Sequence, residues 1–578
     1  MYSMSAVLQQ QEVPGELFSF SAMFPDEPTD ELLDVHPLLA LTASSDPDIM
    51  YLHEAMKQPD KKQFLKAMVE EIQGQTANGN WSIVPRSSVP EGVKIFPGVW
   101  AMRRKRKIAT REVYKWKARL NLDGSKQVKG VNYWDTYSPV VSWPTIRLIL
   151  IKVLLHKWHT IQIDYVMAYP QANIEVDLYM EIPKGFQIKG SKPDEFVLLI
   201  HKNIYGQKQA GRIWNKHLVK KLKSIGFIQC TADECVFVRG NTIYIVYVDD
   251  SILAGPSQAD IDKVIADIRK SGLKITVEGD IADFLGVEIK RQEDGSFHLT
   301  QPHLIDTIIR DLRLDDAKVK DTPALSSRIL SSHLESPAFD ESFHYRSIIG
   351  KLNYLEKSTR PDIAYATHQC ARFTTNPRKE HGDAVRWLAR YLKGTRDKGL
   401  ILKPTSADFE VFVDADFAGN WDRTIAEDDN STARSRHGYV IMYAGCPITW
   451  ASQLQHEIAL SSTESEFIGL SYSLRTTIPL MELLKEFKKH GIKVLSTKPT
   501  VLCDLFEDNS GAIEIANVPK MRPRTKHINI KYHHFRGHVN RGEIKVKAIP
   551  TDLQPADMLT KPLNAATLQV HRKRIMGW

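Results

Sequence analysis

Apolar residues recur at helical spacing over 61–74, through Phe64, Leu65, Met68, Val69 and Ile72. They do so again behind Pro144, through Ile146, Ile149, Leu150, Val153 and Leu154, to about Lys157. The period then drops to two: 160–164 alternates as a strand and ends in Asp164. Helices are predicted over 214–225 and 260–271, with a hairpin between them. Its first arm, 242–248, is apolar throughout, and its second, 251–254, follows directly on Asp249 and Asp250. Strands are predicted around 279–291 and 296–300, before a region to about 400 where helical patterns dominate, notably 347–357 and 379–393. A second alternating strand, 409–414, opens a further set of elements. It comprises a strand at 437–443, a helix from Ser462, a strand at 500–505, a short helix near Ser510 and a C-terminal helix from Gln554. No repeat of roughly 20–50 residues is present, which excludes solenoids.

A chain of 578 residues, 42% hydrophobic and 25% charged, has the composition of a soluble globular protein of several domains. No apolar run reaches the ~18 residues of a membrane span, and the N-terminus lacks the features of a signal peptide. Five cysteines (230, 235, 370, 446, 503) without Cys-x-x-Cys spacing point to a reducing compartment, with neither a disulfide framework nor a zinc site. The net charge of +8 conceals an asymmetry. Residues 1–50 hold nine acids and no Lys or Arg, the composition of a disordered acidic tail. Residues 94–129 carry twelve Lys/Arg against Glu112 and Asp123, and 518–547 carry nine against Glu543. Two such patches imply a polyanionic partner, most simply nucleic acid. The run Arg103-Arg-Lys-Arg-Lys107 alone would also suit a nuclear address.

Adjacent carboxylates at the turn of an apolar hairpin oppose folding, because they repel and resist burial unless they hold a cation. A divalent metal resolves both problems, and Mg²⁺ favours a few carboxylates together with substrate phosphates. The chain repeats this arrangement. Asp164 at a strand end and Asp249-Asp250 in the next hairpin form one acid set. Asp414 at a strand end, Glu466 on a helix, Asp508 after a strand and Asp557 at the start of the last helix form another. Four acids from four elements suit two ions about 3.5–4 Å apart, the geometry of in-line displacement at phosphorus.

Ordered motifs accompany these acids. They include Tyr114-Lys-Trp-Lys-Ala-Arg-Leu120, Tyr133-Trp-Asp-Thr-Tyr-Ser-Pro-Val-Val141, Ile163-Asp-Tyr-Val-Met-Ala-Tyr169, Ile204-Tyr-Gly-Gln-Lys-Gln-Ala210 and Tyr247-Val-Asp-Asp250. Further along stand Asp414-Ala-Asp-Phe-Ala-Gly419, Leu460-Ser-Ser-Thr-Glu-Ser-Glu466, Asp508-Asn-Ser-Gly-Ala-Ile513, Thr525-Lys-His-Ile528 and Ala556-Asp-Met-Leu-Thr-Lys-Pro-Leu563. From about residue 50 to the C-terminus the chain resembles the reverse transcriptase–ribonuclease H region of a Ty1/copia-type LTR retrotransposon Pol polyprotein.

The resemblance implies an α+β multidomain fold: a right-hand polymerase followed by a ribonuclease H-like mixed sheet with flanking helices. Fingers and palm would occupy 51–255, a thumb 256–335, a helical connection 336–405 and the ribonuclease H-like domain 406–578, behind the acidic tail of 1–50. Asp164, Asp249 and Asp250 would hold two Mg²⁺ ions (or Mn²⁺) for DNA synthesis on RNA and DNA templates. Lys117 and Arg119 match positions that grip the incoming triphosphate, Tyr169 one that excludes a 2′-hydroxyl, and Gln209 one near the nucleotide sugar and template. Asp414, Glu466, Asp508 and Asp557 would hold two further ions and cleave the RNA strand of an RNA–DNA hybrid. Glu466 is preferred to Glu464 because the two lie about 200° apart around a helix, and Asp414 to Asp416 by motif. His533 and His534 read as surface histidines rather than as aids to product release. The family usually has Pro where this chain has Gly211.

Implied partners are an RNA template, a DNA primer, dNTPs, the hybrid, a tRNA primer, and the capsid and integrase of the same element, with no membrane. The implied location is a cytoplasmic virus-like particle, with later nuclear entry. An intron maturase is disfavoured by the four-acid C-terminal set. A decayed or co-opted relic that only binds nucleic acid is disfavoured because every required acid is present.

Overall fold

The computed structural model describes residues 48–106, 112–186, 188, 192–325, 330–332, 336–405, 408–424, 429–494, 501–518 and 530–578. Most of the expected acidic tail, Lys107 and Arg111 of the first basic segment, and 519–529 of the second with its 525–528 motif lie outside the described residues.

Near the N-terminus, helix α1 (Lys61–Ala77) packs on a ribbon of β1 (Gly98–Arg106) and β2 (Val113–Leu122), which the short strand Ile49–Tyr51 extends beside β1 to a three-stranded sheet. Arg103 faces Lys117 and Lys105 faces Lys115 across this ribbon. Like charges directly opposite destabilise a sheet, and part of the charge is met from outside it. Arg104 pairs with Asp60 at 2.7 Å and Arg106 with Asp48 at 2.6 Å.

Ser142 caps helix α2 (Trp143–His156), and Pro144 lies in its first turn. Strand β3 (His159–Tyr165) follows, then α3 (Ala210–Ser224), β4 (Ile228–Gln229), β5 (Val236–Arg239), β6 (Thr242–Tyr247), β7 (Asp250–Gly255), α4 (Gln258–Lys270) and β8 (Ile275–Gly279). The strands form one antiparallel sheet in the order β8-β3-β7-β6-β5-β4. The 242–248 run is apolar throughout because both faces of this sheet are covered. Ile243, Ile245 and Tyr247 join a core with Ile146, Ile149 and Val153 of α2. Tyr244 and Val246 join another with Trp214 and Leu218 of α3 and Ile261 and Ile265 of α4.

Helix α5 (Tyr345–Thr359) belongs to the helical stretch before residue 400. Beyond it come β9 (Phe409–Asp416), β10 (Arg436–Tyr443), β11 (Cys446–Leu454), α6 (Ser462–Lys489), β12 (Cys503–Glu507), α7 (Ser510–Asn517), β13 (Ile544–Ala548), α8 (Asp557–Thr560) and α9 (Ala565–Met576). Their sheet runs β11-β10-β9-β12-β13, antiparallel between β9, β10 and β11 and parallel between β9, β12 and β13. The fold is therefore α+β, built among the described residues on two main sheets and three smaller ones.

The structure corrects three local expectations. β11 has no counterpart in the sequence reading. α3 begins four residues before Trp214. The helix expected from Gln554 is two helices, α8 and α9, separated at Lys561-Pro562, because proline has no amide to continue the ladder. Asp557 therefore starts the penultimate helix rather than the last. All five cysteines are buried and free, and no helix among the described residues is long and apolar enough to cross a membrane.

Buried cations join the two main sheets. Arg147 on α2 is 1% exposed. Its Nε donates to the Ile448 carbonyl at 2.7 Å, and one terminal nitrogen donates to the carbonyls of Lys357 and Ser358 at 3.0 and 2.7 Å. Those two carbonyls close the last turn of α5, where the helix cannot satisfy them itself. Trp450 of β11 stacks on the guanidinium at 4.3 Å and donates its own N–H to the Glu356 carbonyl at 3.1 Å. Lys152, one and a half turns on, donates to the Lys493 carbonyl at 2.6 Å. From α6, the Glu486 carboxylate accepts the backbone N–H groups of Thr231 (3.0 Å) and Ala232 (3.3 Å). Arg147→Met is expected to cost about 3 kcal/mol in urea unfolding, because three buried carbonyls lose their donor. Lys152→Met, which frees one, should cost about 1 kcal/mol. Equal, negligible losses would show that the carbonyls find other partners.

Two carboxylate centres as the candidate functional site

The first centre is set by strand register. Antiparallel pairing of β3 with β7 places Asp164 directly opposite Asp250. The β6–β7 hairpin puts Asp249 in the adjacent turn, where its carbonyl accepts the Tyr165 N–H at 3.2 Å. That turn is strained: Val248 sits at φ +57°, a region that β-branched residues rarely enter. Trp214 Nε1 holds it by donating to the Val248 carbonyl at 2.7 Å. Burial raises the Asp250 carboxyl to about 7, helped by Asp249, Asp164, Glu278 and Asp283. Burial and Asp249 also raise Asp164, while Lys117, Lys105 and Arg119 act against them.

Lys117 and Arg119 lie two apart on β2 and so share a face turned toward these acids. Burial, then Arg119 and its lysine neighbours, lower the Lys117 ammonium to about 8. Arg119 stacks on Tyr205 at 4.7 Å, and Tyr205 packs on Tyr169 at 5.1 Å. Tyr169 is half-buried beside Asp249, which together with burial raises its hydroxyl. Gln209 is buried and fully engaged with the chain. It is 3% exposed, accepts from Gln127 at 3.1 Å and donates to the Asn132 carbonyl at 3.4 Å. Its amide is spent on holding the 127–132 loop against the start of α3. Gly211 follows in the first turn of α3, where a Cβ would lie 3.7 Å from Ser138 and 3.9 Å from the Tyr169 hydroxyl, in ordinary contact.

The second centre lies at the end of β9. Carboxylate oxygens of Asp414, Glu466 and Asp508 all fall within 4.8 Å of one another. Asp557 stands beside them, its carboxyl against that of Asp414, and pairs with Lys561 at 2.9 Å. Thr560 donates to Asp414. Glu464 is spent elsewhere, accepting the Leu460 N–H at 2.8 Å ahead of α6, as the helical phase required. Burial raises Asp414, with Asp557 adding to it and Lys561 opposing. Asp416 is held up by burial and by Asp414.

Sequence reasoning missed Glu507. It is fully buried, lies beside Glu466, and accepts the Asn509 N–H at 3.2 Å. Burial and this neighbour drive the Glu466 carboxyl strongly upward. The signal was present, since Glu507 keeps the inward phase of Cys503 and Leu505 along β12. Glu278 and Asp283, which face the first centre, left no such trace, because only the β8–β3 pairing brings Glu278 there. His533 also departs from the surface reading. It is half-buried against Phe467 at 5.0 Å, with neither ring nitrogen bonded, whereas His534 is exposed.

The second donor set suits a hard divalent cation. Its ligand atoms are carboxylate oxygens, and Glu466 Oε2 is a buried acceptor without a hydrogen-bond donor. No Cys or His falls in the Asp414–Glu466–Asp508 cluster, which disfavours zinc.

Comparison with known proteins places the chain among reverse transcriptases. Residues 78–326 match the family model "Reverse transcriptase (RNA-dependent DNA polymerase)". The chain is 32% identical over 529 residues to the retrovirus-related Pol polyprotein from transposon TNT 1-94 of Nicotiana tabacum, covering 90% of this chain and 38% of that one. A Pol polyprotein from transposon RE2 of Arabidopsis thaliana is also 32% identical, over 93% of this chain and 35% of its own length. The chain thus spans little more than a third of these polyproteins. A putative transposon Ty5-1 protein of Saccharomyces cerevisiae is 31% identical and 98% covered, by 53% of this chain. Among solved structures, a foamy viral protease-reverse transcriptase in complex with dsDNA aligns over 85% of this chain and 83% of its own, at 13% identity and a TM-score of 0.45.

The raised Asp250 carboxyl makes a prediction for the metal-chelated protein. Its value lies above that of an unfolded carboxylate, so folding takes up a proton as pH falls through this window. The penalty is absent below about pH 4, grows as pH rises and is complete above about pH 7. Asp250→Asn should therefore raise the melting temperature in EDTA at about pH 8 by a few degrees, with the gain shrinking toward about pH 5. A gain that stayed constant with pH would locate the effect in packing rather than charge.

Proposed function

The chain belongs to the reverse transcriptases of copia-type retrotransposon Pol polyproteins, and from that membership we propose that it couples two phosphoryl-transfer centres. The first would extend a DNA primer on RNA and DNA templates. The second would cut the RNA strand of the resulting hybrid. The observation that carries the reading is the Asp164–Asp250 cross-strand pair with Asp249 in the adjoining turn, faced by Lys117 and Arg119. It gathers negative charge for cations on one side and positive charge for a triphosphate on the other.

In this reading 51–255 supplies fingers and palm, 256–335 the thumb, 336–405 the connection and 406–578 a ribonuclease H-like domain. Lys117 and Arg119 hold the phosphates of the incoming dNTP, where fixed cations suit charge developing on the leaving pyrophosphate. Stacking on Tyr205 holds the Arg119 guanidinium in place. Tyr169, packed on the same Tyr205, presents its ring beneath the sugar and excludes a 2′-hydroxyl by bulk. Gln209 acts through the 127–132 loop rather than on the nucleotide itself. Asp164, Asp249 and Asp250 are the ligands for divalent cations in the first centre, and Asp414, Glu466, Asp508 and Asp557 in the second. When bound, Mg²⁺ supplies positive charge at the attacking and leaving oxygens of an in-line displacement. Template sequence is read by base pairing, while basic side chains hold the backbone.

The test is dNTP incorporation on a primed RNA template with Mg²⁺, beside cleavage of a labelled RNA–DNA hybrid. Asp249→Asn/Asp250→Asn should lower incorporation about a hundredfold or more and leave cleavage intact, and Glu466→Gln should do the reverse. Incorporation that survives the double substitution would sink the assignment of the first centre. Folded, hybrid-binding protein inactive in both assays would favour a relic that only binds nucleic acid.

A further inference from the structure

Besides its acids, the second centre contains a lysine. Lys561 is the first residue after α8, and its backbone N–H donates to the Asp557 carbonyl at 3.2 Å. Its side chain returns over the same short helix to place Nζ 2.9 Å from Asp557 Oδ1. Asp414 and Asp416 also attract this ammonium. Pro562 ends the helix immediately behind it, and Thr560 immediately before it bonds Asp414, so the backbone that delivers Lys561 is fixed on both sides.

The four acids consequently divide. Asp414, Glu466 and Asp508 bring ligand oxygens within 4.8 Å of one another, and among the described residues neither Glu466 nor Asp508 is ion-paired. Asp557 falls outside that set and has its charge met by Lys561. Two ions on four carboxylates would need Asp557 as a ligand at the second position, and an ammonium 2.9 Å from its oxygen stands in that ion's way. A lysine is chemically suited to the part, being a compact, strongly hydrated point charge on a flexible four-carbon stem.

We propose that Lys561 Nζ occupies one of the two cation positions of the Asp414–Glu466–Asp508–Asp557 centre, so that one divalent ion binds readily and a second must displace the ammonium. The proposal rests on the reading of these acids as metal ligands and adds which position is guarded, and by what. It also gives the two centres different ion requirements, because no described lysine or arginine is ion-paired to Asp164, Asp249 or Asp250.

The experiment is a Mn²⁺ titration of the full chain by calorimetry and electron paramagnetic resonance, with Asp249→Asn/Asp250→Asn present throughout to silence the first centre. With Lys561 intact, one ion should bind and a second should follow at least about tenfold more weakly. Lys561→Gln should tighten the second ion by about tenfold or more and produce a spin-coupled Mn²⁺ pair at two equivalents, while Lys561→Arg should keep the parent pattern. Melting in EDTA should also separate them, with the Gln variant least stable and most strongly restored by Mn²⁺. If Lys561→Gln does not fold without metal, Asp557→Asn with Lys561 retained should leave the first ion's affinity unchanged; a tenfold loss there would overturn the proposal. Two equally tight, spin-coupled ions in the parent would overturn it and leave the metal reading standing. No bound Mn²⁺ in any variant would overturn both.

Discussion

Mutual repulsion among buried carboxylates is the constraint around which this chain is organised. Neither acid cluster would assemble by itself, since each carboxylate raises the cost of ionising its neighbours. The sheets impose the assembly. One register brings Asp164 against Asp250, and the alignment of β9 with β12 brings Asp414 to the level of Asp508 and Glu507. The energy for this comes from the apolar strands behind the acids, where Ile163, Ile252, Val413 and Leu505 are buried at 1% exposure or less. Charge that the core forces together is then available to attract cations. The Val248 turn belongs to the same economy: a strained φ, held by Trp214, keeps Asp249 next to Asp250.

A second consequence concerns how the sheets are held relative to one another. Between α2 and the C-terminal sheet the interface is a continuous apolar core, not a wet domain boundary. Arg147 is placed deep within it, as Lys152 is, and burial lowers its guanidinium to about 9. A buried cation is costly unless its hydrogen bonds are complete, and this one is completed by carbonyls from α5 and β11. Those carbonyls need a donor as much as the guanidinium needs acceptors. Polar demand on both sides therefore specifies one docking geometry, which the apolar contacts alone would leave free to slide.

Much of this was legible in the sequence, and the failures have identifiable causes. Period-two alternation marked β3 and β9, and helical spacing marked α1, α2 and α4, because each has one face buried and a hydrophobic pattern to match. β11 escaped because its pattern is broken: Pro447, Ser452 and Gln453 interrupt the alternation, and a register shift at Ile441/Met442 confirms an irregular pairing. The seven candidate acids stand at strand ends, at helix starts and in motifs, which is what flagged them in the sequence. Glu507 was overlooked because attention fell on Asp508, although the inward phase of β12 singled out its neighbour. Glu278 and Gln209 depend on long-range pairing, which local pattern does not encode. The side chain of Gln209 is a buried tie to Gln127.

The contrast between the two centres follows from how each solves the same electrostatic problem. At the first, the acids are half-buried and face Lys117 and Arg119 on a separate sheet, and burial, Arg119, Lys105 and Lys115 destabilise the Lys117 charge. Acids and bases there are complementary but held apart. At the second, Asp414, Glu466, Glu507 and Asp557 are each 8% exposed or less, too deep for solvent to screen them. Such a site must carry its compensation with it. Burial and the neighbouring Glu507 push the Glu466 carboxyl strongly upward, and Asp557 is compensated by Lys561. Burial depth thus dictates whether countercharge is supplied by the ligand or by the chain, and a centre that supplies its own must release it before it can accept more.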